Sequence, residues 1–86
     1  MDEKELYSLL GFVKVSKYRL KTLKSIGKSF KMPTEISRET GLKTNQVSTA
    51  LIDLKKCNLV VCLNEEAKKG RLYRCSDRGL KVLEFL

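Results

Sequence analysis

Histidine and tryptophan are absent from this chain of 86 residues, and there is only one proline. Because histidine is the commonest general acid or base near neutral pH, its absence removes most familiar catalytic arrangements. The sequence also lacks a paired nucleophile and base, a phosphate-binding loop and a set of metal ligands. We therefore expect a protein that is not an enzyme and that carries no metal or other cofactor.

Cysteine is scarce, with three residues at positions 57, 62 and 75. An odd number without a CxxC pair argues against a disulfide framework and against a tetrahedral zinc site. Apolar neighbours surround Cys57, Cys62 and Cys75, which favours buried structural thiols. The alternative is a redox sensor, which would require an exposed thiol with a lowered pKa.

No run of apolar residues approaches the eighteen or so that a membrane-spanning helix needs. The first ten residues, MDEKELYSLL, place acidic groups ahead of the apolar ones, which is the wrong order for a secretory signal. We expect a cytoplasmic protein without a membrane partner.

Acidic residues are outnumbered, and the formal net charge is +8. Residues 11–31 contain seven lysines and arginines and no acid. A basic domain of this size suits a polyanion such as nucleic acid. A soluble surface that happens to be basic is the alternative.

Hydrophobic spacing and turn residues predict a short N-terminal helix followed by helix, helix, tight turn, helix, two strands and a final helix, all in one domain over residues 1–86. The predicted helices cover residues 3–12, 16–27, 33–40, 44–56 and 76–86, and the predicted strands cover 59–63 and 71–75. Residues 28–31 are predicted to be a connector, and residues 64–70 the loop of a hairpin.

The segment from residue 33 to 57 is typical of a helix-turn-helix. Pro33 suits a first helical turn, and Gly41 permits the left-handed backbone of a tight turn. Thr44 is predicted to cap the second helix. Asn58 is a suitable left-handed residue after that helix.

The chain resembles the winged helix-turn-helix transcriptional regulators of bacteria and archaea, both MarR-like and ArsR-like, from Val15 to Leu86. The matching residues lie in four places: Ile36, Gly41 and Leu42 around the turn, Val47-Ser48 on the second helix, Leu59-Val60 at its exit, and Gly70, Arg71, Tyr73, Ser76 and Gly79 in the returning strand and cap. The segment VSKYRLKTLKSI is similar to the first helix of archaeal members.

The resemblance implies a mainly α fold with a small β-hairpin: a three-helix core, a two-stranded wing over residues 59–75 and a C-terminal helix. It also implies sequence-specific binding of double-stranded DNA, with helix 44–56 in the major groove. The expected base-reading residues are Thr44, Asn45, Gln46, Ser48 and Thr49. The expected phosphate and wing contacts are Thr34, Lys43, Lys68, Lys69 and Arg71, with the wing loop 64–71 on the backbone or in the minor groove.

Winged-helix regulators usually bind as two-fold dimers, so we expect a homodimer. The apolar excess at the two ends, in the arm 1–15 and the helix 76–86, suggests an interface of Leu6, Tyr7, Leu10, Leu83, Phe85 and Leu86. A different class of function stays open, since winged helices also serve as protein-interaction adaptors in transcription and replication complexes. Neither an effector ligand nor an operator sequence follows from these residues.

Overall fold

The structure is a computed structural model that describes residues 1–86. Its elements are α1 (Glu3–Lys14), α2 (Lys17–Ile26), β1 (Phe30–Lys31), α3 (Pro33–Thr40), α4 (Thr44–Lys56), β2 (Val60–Cys62), β3 (Tyr73–Cys75) and α5 (Asp77–Leu83). None of these helices has the length and apolar character required to cross a membrane.

Local capping signals set most of the helix ends. The hydroxyl of Ser16 accepts a hydrogen bond from the backbone N–H of Arg19, and the hydroxyl of Ser76 accepts one from that of Gly79. Gly41 ends α3 in the left-handed conformation, with φ of 75°. Asn58 has φ of 58°, as its position after α4 predicts.

The N-cap of α4 differs from the prediction. Lys43 is the capping residue, and Thr44 is already the first residue of the helix. The side-chain oxygen of Gln46 accepts from the backbone N–H of Lys43 at 3.0 Å. A glutamine at the third helical position therefore does the capping that was predicted for the threonine hydroxyl.

The sheet has three strands rather than the two that were predicted, in the order β1-β3-β2 with antiparallel pairing throughout. Phe30 pairs with Arg74 and Lys31 with Tyr73, so the expected connector 28–31 is wrong at these two positions. A two-residue strand is too short to show a period-two pattern, and its partner lies more than forty residues away.

The core lies between α2, α3 and α4 and extends to α1, α5 and the base of the sheet. Its fully buried side chains include Leu23, Ile26, Ile36, Leu51 and Leu54. These residues repeat at helical spacing in the sequence, and their burial fixes which faces of the helices point outward.

Helix α1 continues to Lys14, two residues beyond its predicted end at Phe12. Gly11 is exposed within the helix and does not end it. The helix buries Leu6, Leu10 and Val13 in the common core. The N-terminal segment is therefore part of the domain itself.

Helix α5 is held closely against the chain that leaves α4. The backbone N–H of Ser76 donates to the carbonyl of Leu59, and its hydroxyl donates to the carbonyl of Asn58. A Cβ added to Gly79 would lie 2.0 Å from the carbonyl oxygen of Leu59. Only glycine permits this approach.

Candidate nucleic-acid interface

Helix α4 has a wing side, an α2 side and an exposed face between them. On the wing side, Lys55 forms a salt bridge with Glu65 of the wing loop. On the α2 side, Asp53 pairs with Arg19 at 3.4 Å. The exposed face between these flanks carries Asn45, Thr49, Ile52 and Lys56. A ligand that approaches α4 from outside meets this face first.

An open groove of about 610 Å³ lies between the start of α3, helix α4 and the wing. It brings together six of the residues predicted to contact DNA, namely Thr34, Thr44, Ser48, Lys68, Lys69 and Arg71. Residues separated by up to 37 positions in the chain thus share one surface. The groove does not include Lys43, Asn45, Gln46 or Thr49.

The first turns of α3 and α4 both border this groove, through Pro33, Thr34 and Thr44. Free backbone N–H groups and the positive end of the helix dipole favour an anion at such positions. Lys68 and Lys69 are exposed on the opposite wall and take part in none of the chain's salt bridges. The groove therefore carries uncompensated positive charge.

Gln46, which was expected to read bases, does not have a free side-chain amide. Its side-chain oxygen accepts from the N–H of Lys43, and its side-chain nitrogen donates to the hydroxyl of Tyr18, each at 3.0 Å. Both ends of the amide are engaged within the protein, and the residue is half-buried. In this arrangement Gln46 has no free pair of groups for a base edge.

The other predicted base-reading residues remain outward on α4. Asn45 is exposed and its side chain forms no hydrogen bond within the chain, so its amide is free to pair with adenine. The hydroxyl of Thr49 donates to the carbonyl of Asn45 at 3.0 Å. Thr44 and Ser48 are exposed and line the groove.

Arg71 closes the wing loop on itself. Its guanidinium donates to the carbonyl of Ala67 at 2.7 Å and to that of Glu65 at 3.0 Å. Asn64 adds a second closure, since its side chain donates to the carbonyl of Gly70 and accepts from the N–H of Leu72. The wing is thus an internally bonded loop rather than a flexible hairpin tip.

The salt bridge between Lys55 and Glu65 ties the wing to α4. The hydrogen bond from Lys55 lowers the pKa of Glu65, and the same bond raises the pKa of Lys55. Both groups are therefore charged over a wide range of pH. The acidic charge of Glu65 in the wing loop is therefore compensated by Lys55.

Sequence analysis did not identify the positioning residues of this interface. Tyr18 holds Gln46, and Asn64 closes the wing, although Asn64 follows a predicted strand and asparagine is a typical turn residue there. The groove also has an apolar part, which is formed by Pro33, Leu51, Ile52 and Tyr73.

The three cysteines are free. Cys75 is buried, as predicted, and burial raises the pKa of its thiol to about 11. Cys57 and Cys62 are half-buried, so the expectation of full burial is wrong for these two. No group of cysteine and carboxylate side chains is arranged to hold a metal ion.

The residues predicted to form a dimer interface divide into two sets. Leu6 and Leu10 are 9% and 7% exposed within the chain's own core, which leaves almost no surface for a second copy. Tyr7 and Phe85 are 65% and 50% exposed. Leu83 and Leu86 are half-buried. The predicted interface is wrong for the first two leucines and reduces to the remaining four residues.

A solved structure with the same fold is described as TubR bound to 24 bp of tubC from Bacillus thuringiensis serovar israelensis pBtoxis. The two share a TM-score of 0.80 over 93% of this chain and 89% of that chain, at 10% sequence identity. No family model matches the sequence, and no curated protein matches it. The structural likeness confirms the predicted winged-helix fold, mainly α with a small antiparallel sheet, and at this identity it carries the fold alone.

Proposed function

We propose that this protein is a regulator that binds double-stranded DNA with sequence specificity, placing α4 in the major groove and the wing against the flanking backbone or minor groove. One observation carries this proposal: the groove that joins the first turns of α3 and α4 to the free wing lysines, beside the outward face of α4. A MarR-like or ArsR-like regulator of archaeal type fits the sequence resemblance.

The base-reading part is the N-terminal half of the outward face of α4. Asn45 is its central residue, because its free amide can make a paired hydrogen bond to N6 and N7 of adenine. Ser48 and Thr44 lie beside it and can donate to or accept from base edges. The exposed side chain of Ile52 can contact the methyl group of thymine.

The phosphate-binding part is the rim around that face. The hydroxyl and backbone N–H of Thr34 in α3, together with the first N–H groups of α4, fit one phosphate group or two. Lys68 and Lys69 extend from the wing toward the neighbouring backbone, and Lys43 lies exposed at the turn before α4. These groups position the protein, whereas the groups on α4 select the sequence.

The structural neighbour supports this assignment, since TubR was solved bound to a 24 bp DNA duplex. The net charge of +8 supports it as well, because phosphate contacts supply most of the non-specific affinity of DNA-binding proteins.

Selection of bound duplexes from a random DNA pool, followed by salt titration of the selected sequence, tests the proposal. We expect an enriched motif and a log–log salt slope of about −0.9 for each phosphate neutralised. Binding without enrichment would contradict sequence specificity. No binding to any duplex at low salt would contradict DNA binding and favour the protein-interaction adaptor.

We further propose that the protein binds DNA as a homodimer through Tyr7 on α1 and Phe85 after the end of α5, both of which are exposed. Sedimentation at tens of micromolar protein measures the assembly state directly. The selected DNA motif would then be a palindrome with half-sites roughly 34 Å apart. A monomer that selects a single undivided site would contradict this assembly.

A further inference from the structure

The hydroxyl of Tyr18 on α2 has a hydrogen-bond donor that the protein does not use. The backbone N–H of Lys43 can only donate, so the oxygen of the Gln46 side chain must face it, at 3.0 Å. The nitrogen of the same amide therefore faces Tyr18, whose hydroxyl oxygen accepts from it at 3.0 Å. A hydroxyl that accepts can still donate its own proton. Tyr18 is 37% exposed, so this proton is available to a ligand.

Tyr18 lies on the side of α4 that faces away from the wing. Gln46 and Asp53, which contact Tyr18 and Arg19, are seven positions apart, or about two turns, so they share one side of α4. Lys55, which forms the salt bridge with the wing loop, comes two positions after Asp53. Two positions rotate a side chain by about 200°, which places Lys55 on the opposite side. The exposed face of α4 therefore lies between the wing and the start of α2.

Arg19 fixes the start of α2 against its neighbours. Its guanidinium donates to the carbonyl of Phe12 at 2.8 Å and to Asp53 at 3.4 Å, and it lies 4.0 Å from the centre of the Phe12 ring. Helices α1, α2 and α4 are thereby joined at this point. Helix α2 contains no acidic residue, and Asp53, the one acidic residue of α4, is paired with Arg19. A phosphate group beside Tyr18 would therefore meet no unpaired carboxylate from either helix.

We propose that the hydroxyl of Tyr18 donates a hydrogen bond to a phosphate oxygen of the DNA backbone on the side of α4 opposite the wing. This inference rests on the proposed function. A major groove about 12 Å wide has a backbone along each edge. With α4 in that groove, the wing lies toward one backbone and the start of α2 toward the other. Tyrosine hydroxyls are among the groups that bind DNA phosphates, and such contacts position a protein without selecting sequence.

The variant Tyr18→Phe tests this contact, because it removes the hydroxyl and keeps the ring. It also leaves the amide of Gln46 without a partner, so the same substitution is made in a Gln46→Ala protein, where that amide is absent. Ser25→Ala is the control, since it removes another hydroxyl of α2, one that donates to Glu39 on α3. Fluorescence anisotropy measures the affinity of each variant for the selected duplex and its single-base variants, over a series of salt concentrations. Circular dichroism confirms that each variant is folded.

We expect Tyr18→Phe to weaken DNA binding roughly tenfold in both backgrounds, which is the loss of one hydrogen bond to a charged group. The loss should be equal for all duplexes, because a phosphate carries no base information. The salt slope should not change, because a neutral hydroxyl releases no counterion. Ser25→Ala should bind like the wild type.

Three outcomes would overturn the contact while leaving DNA binding in place. The first is wild-type affinity of Tyr18→Phe. The second is a loss confined to proteins that retain Gln46, since Tyr18 would then act only by holding that amide. The third is a loss that varies with base sequence, which would place the hydroxyl on a base edge. Absence of DNA binding by the wild-type protein would overturn the proposed function as well, so the two failures are distinguishable.

Discussion

The side-chain nitrogen of Gln46 donates a 3.0 Å hydrogen bond to the hydroxyl of Tyr18, while the oxygen of the same amide caps the N-terminus of α4. Two polar residues that are neighbours in sequence at the start of a recognition helix therefore have different tasks. Gln46 fixes the helix to α2, and Asn45 is left free for a ligand.

The pair Asn45→Ala and Gln46→Ala separates these tasks. We expect Asn45→Ala to reduce discrimination at one base pair by about 1–3 kcal/mol, because a paired hydrogen bond to adenine is lost. Gln46→Ala should leave the base preference unchanged and lower the free energy of unfolding by about 1 kcal/mol, since two hydrogen bonds are lost. Binding to a panel of single-base variants of the selected site and urea unfolding provide the measurements. A change of base preference in Gln46→Ala would show that the amide turns outward on binding.

The wing prediction concerns the geometry of Arg71. Because its planar guanidinium donates to two loop carbonyls, a lysine at this position keeps the charge but cannot keep both bonds. We expect Arg71→Lys to weaken DNA binding nearly as much as Arg71→Ala and to raise amide hydrogen exchange over residues 64–71.

Lys69→Arg is the control for the wing, since Lys69 is exposed and forms no hydrogen bond within the chain. It should bind like the wild type. If Arg71→Lys also binds like the wild type with unchanged exchange, Arg71 acts by its charge alone.

Gly79 should be the most sensitive glycine in the chain. An alanine there would place Cβ 2.0 Å from the carbonyl oxygen of Leu59, so α5 must move away from the exit of α4. We expect Gly79→Ala to lower the free energy of unfolding by about 3 kcal/mol. Gly11→Ala is the matched substitution within another helix, where a Cβ meets nothing within 4 Å.

Gly11→Ala should raise stability by about 0.5–1 kcal/mol, because alanine loses less backbone entropy than glycine in a helix. Thermal unfolding of the two variants measures both effects. If the Gly79→Ala and Gly11→Ala variants were equally stable, α5 would have moved to accommodate the alanine without a loss of stability.

The features of the fold that were predicted correctly from the sequence are those with local causes. The hydroxyls of Ser16 and Ser76 each accept a hydrogen bond from the backbone N–H three residues later. Gly41 and Asn58 adopt the left-handed backbone conformation that their residue types favour. Each of these signals lies within a few residues of its effect, and the apolar residues between them repeat with the helical period.

The parts that were missed depend on distant segments. Phe30 becomes a strand only because Arg74 lies beside it, and Gln46 is occupied only because Tyr18, 28 positions earlier, reaches its amide. Likewise, Arg71 turns inward because the wing loop presents the carbonyls of Glu65 and Ala67. Residue type identified the candidates for the site, and tertiary packing decided which of them are free.

The last prediction concerns the buried thiol of Cys75 at high pH. Burial raises its pKa from an ordinary value of 9.0 to about 11, so the folded protein holds this proton when the unfolded chain has released it. The contribution to stability is complete below about pH 9 and is lost as the pH rises toward 11, by about 2–3 kcal/mol for a shift of this size. Urea unfolding of the wild type and of Cys75→Ala at pH 8 and pH 11 isolates this effect, because lysines and tyrosines titrate alike in both proteins. The wild type should lose more stability than the variant between these two pH values. An equal loss in both proteins would mean that the thiol ionises in the folded state as readily as in the unfolded chain.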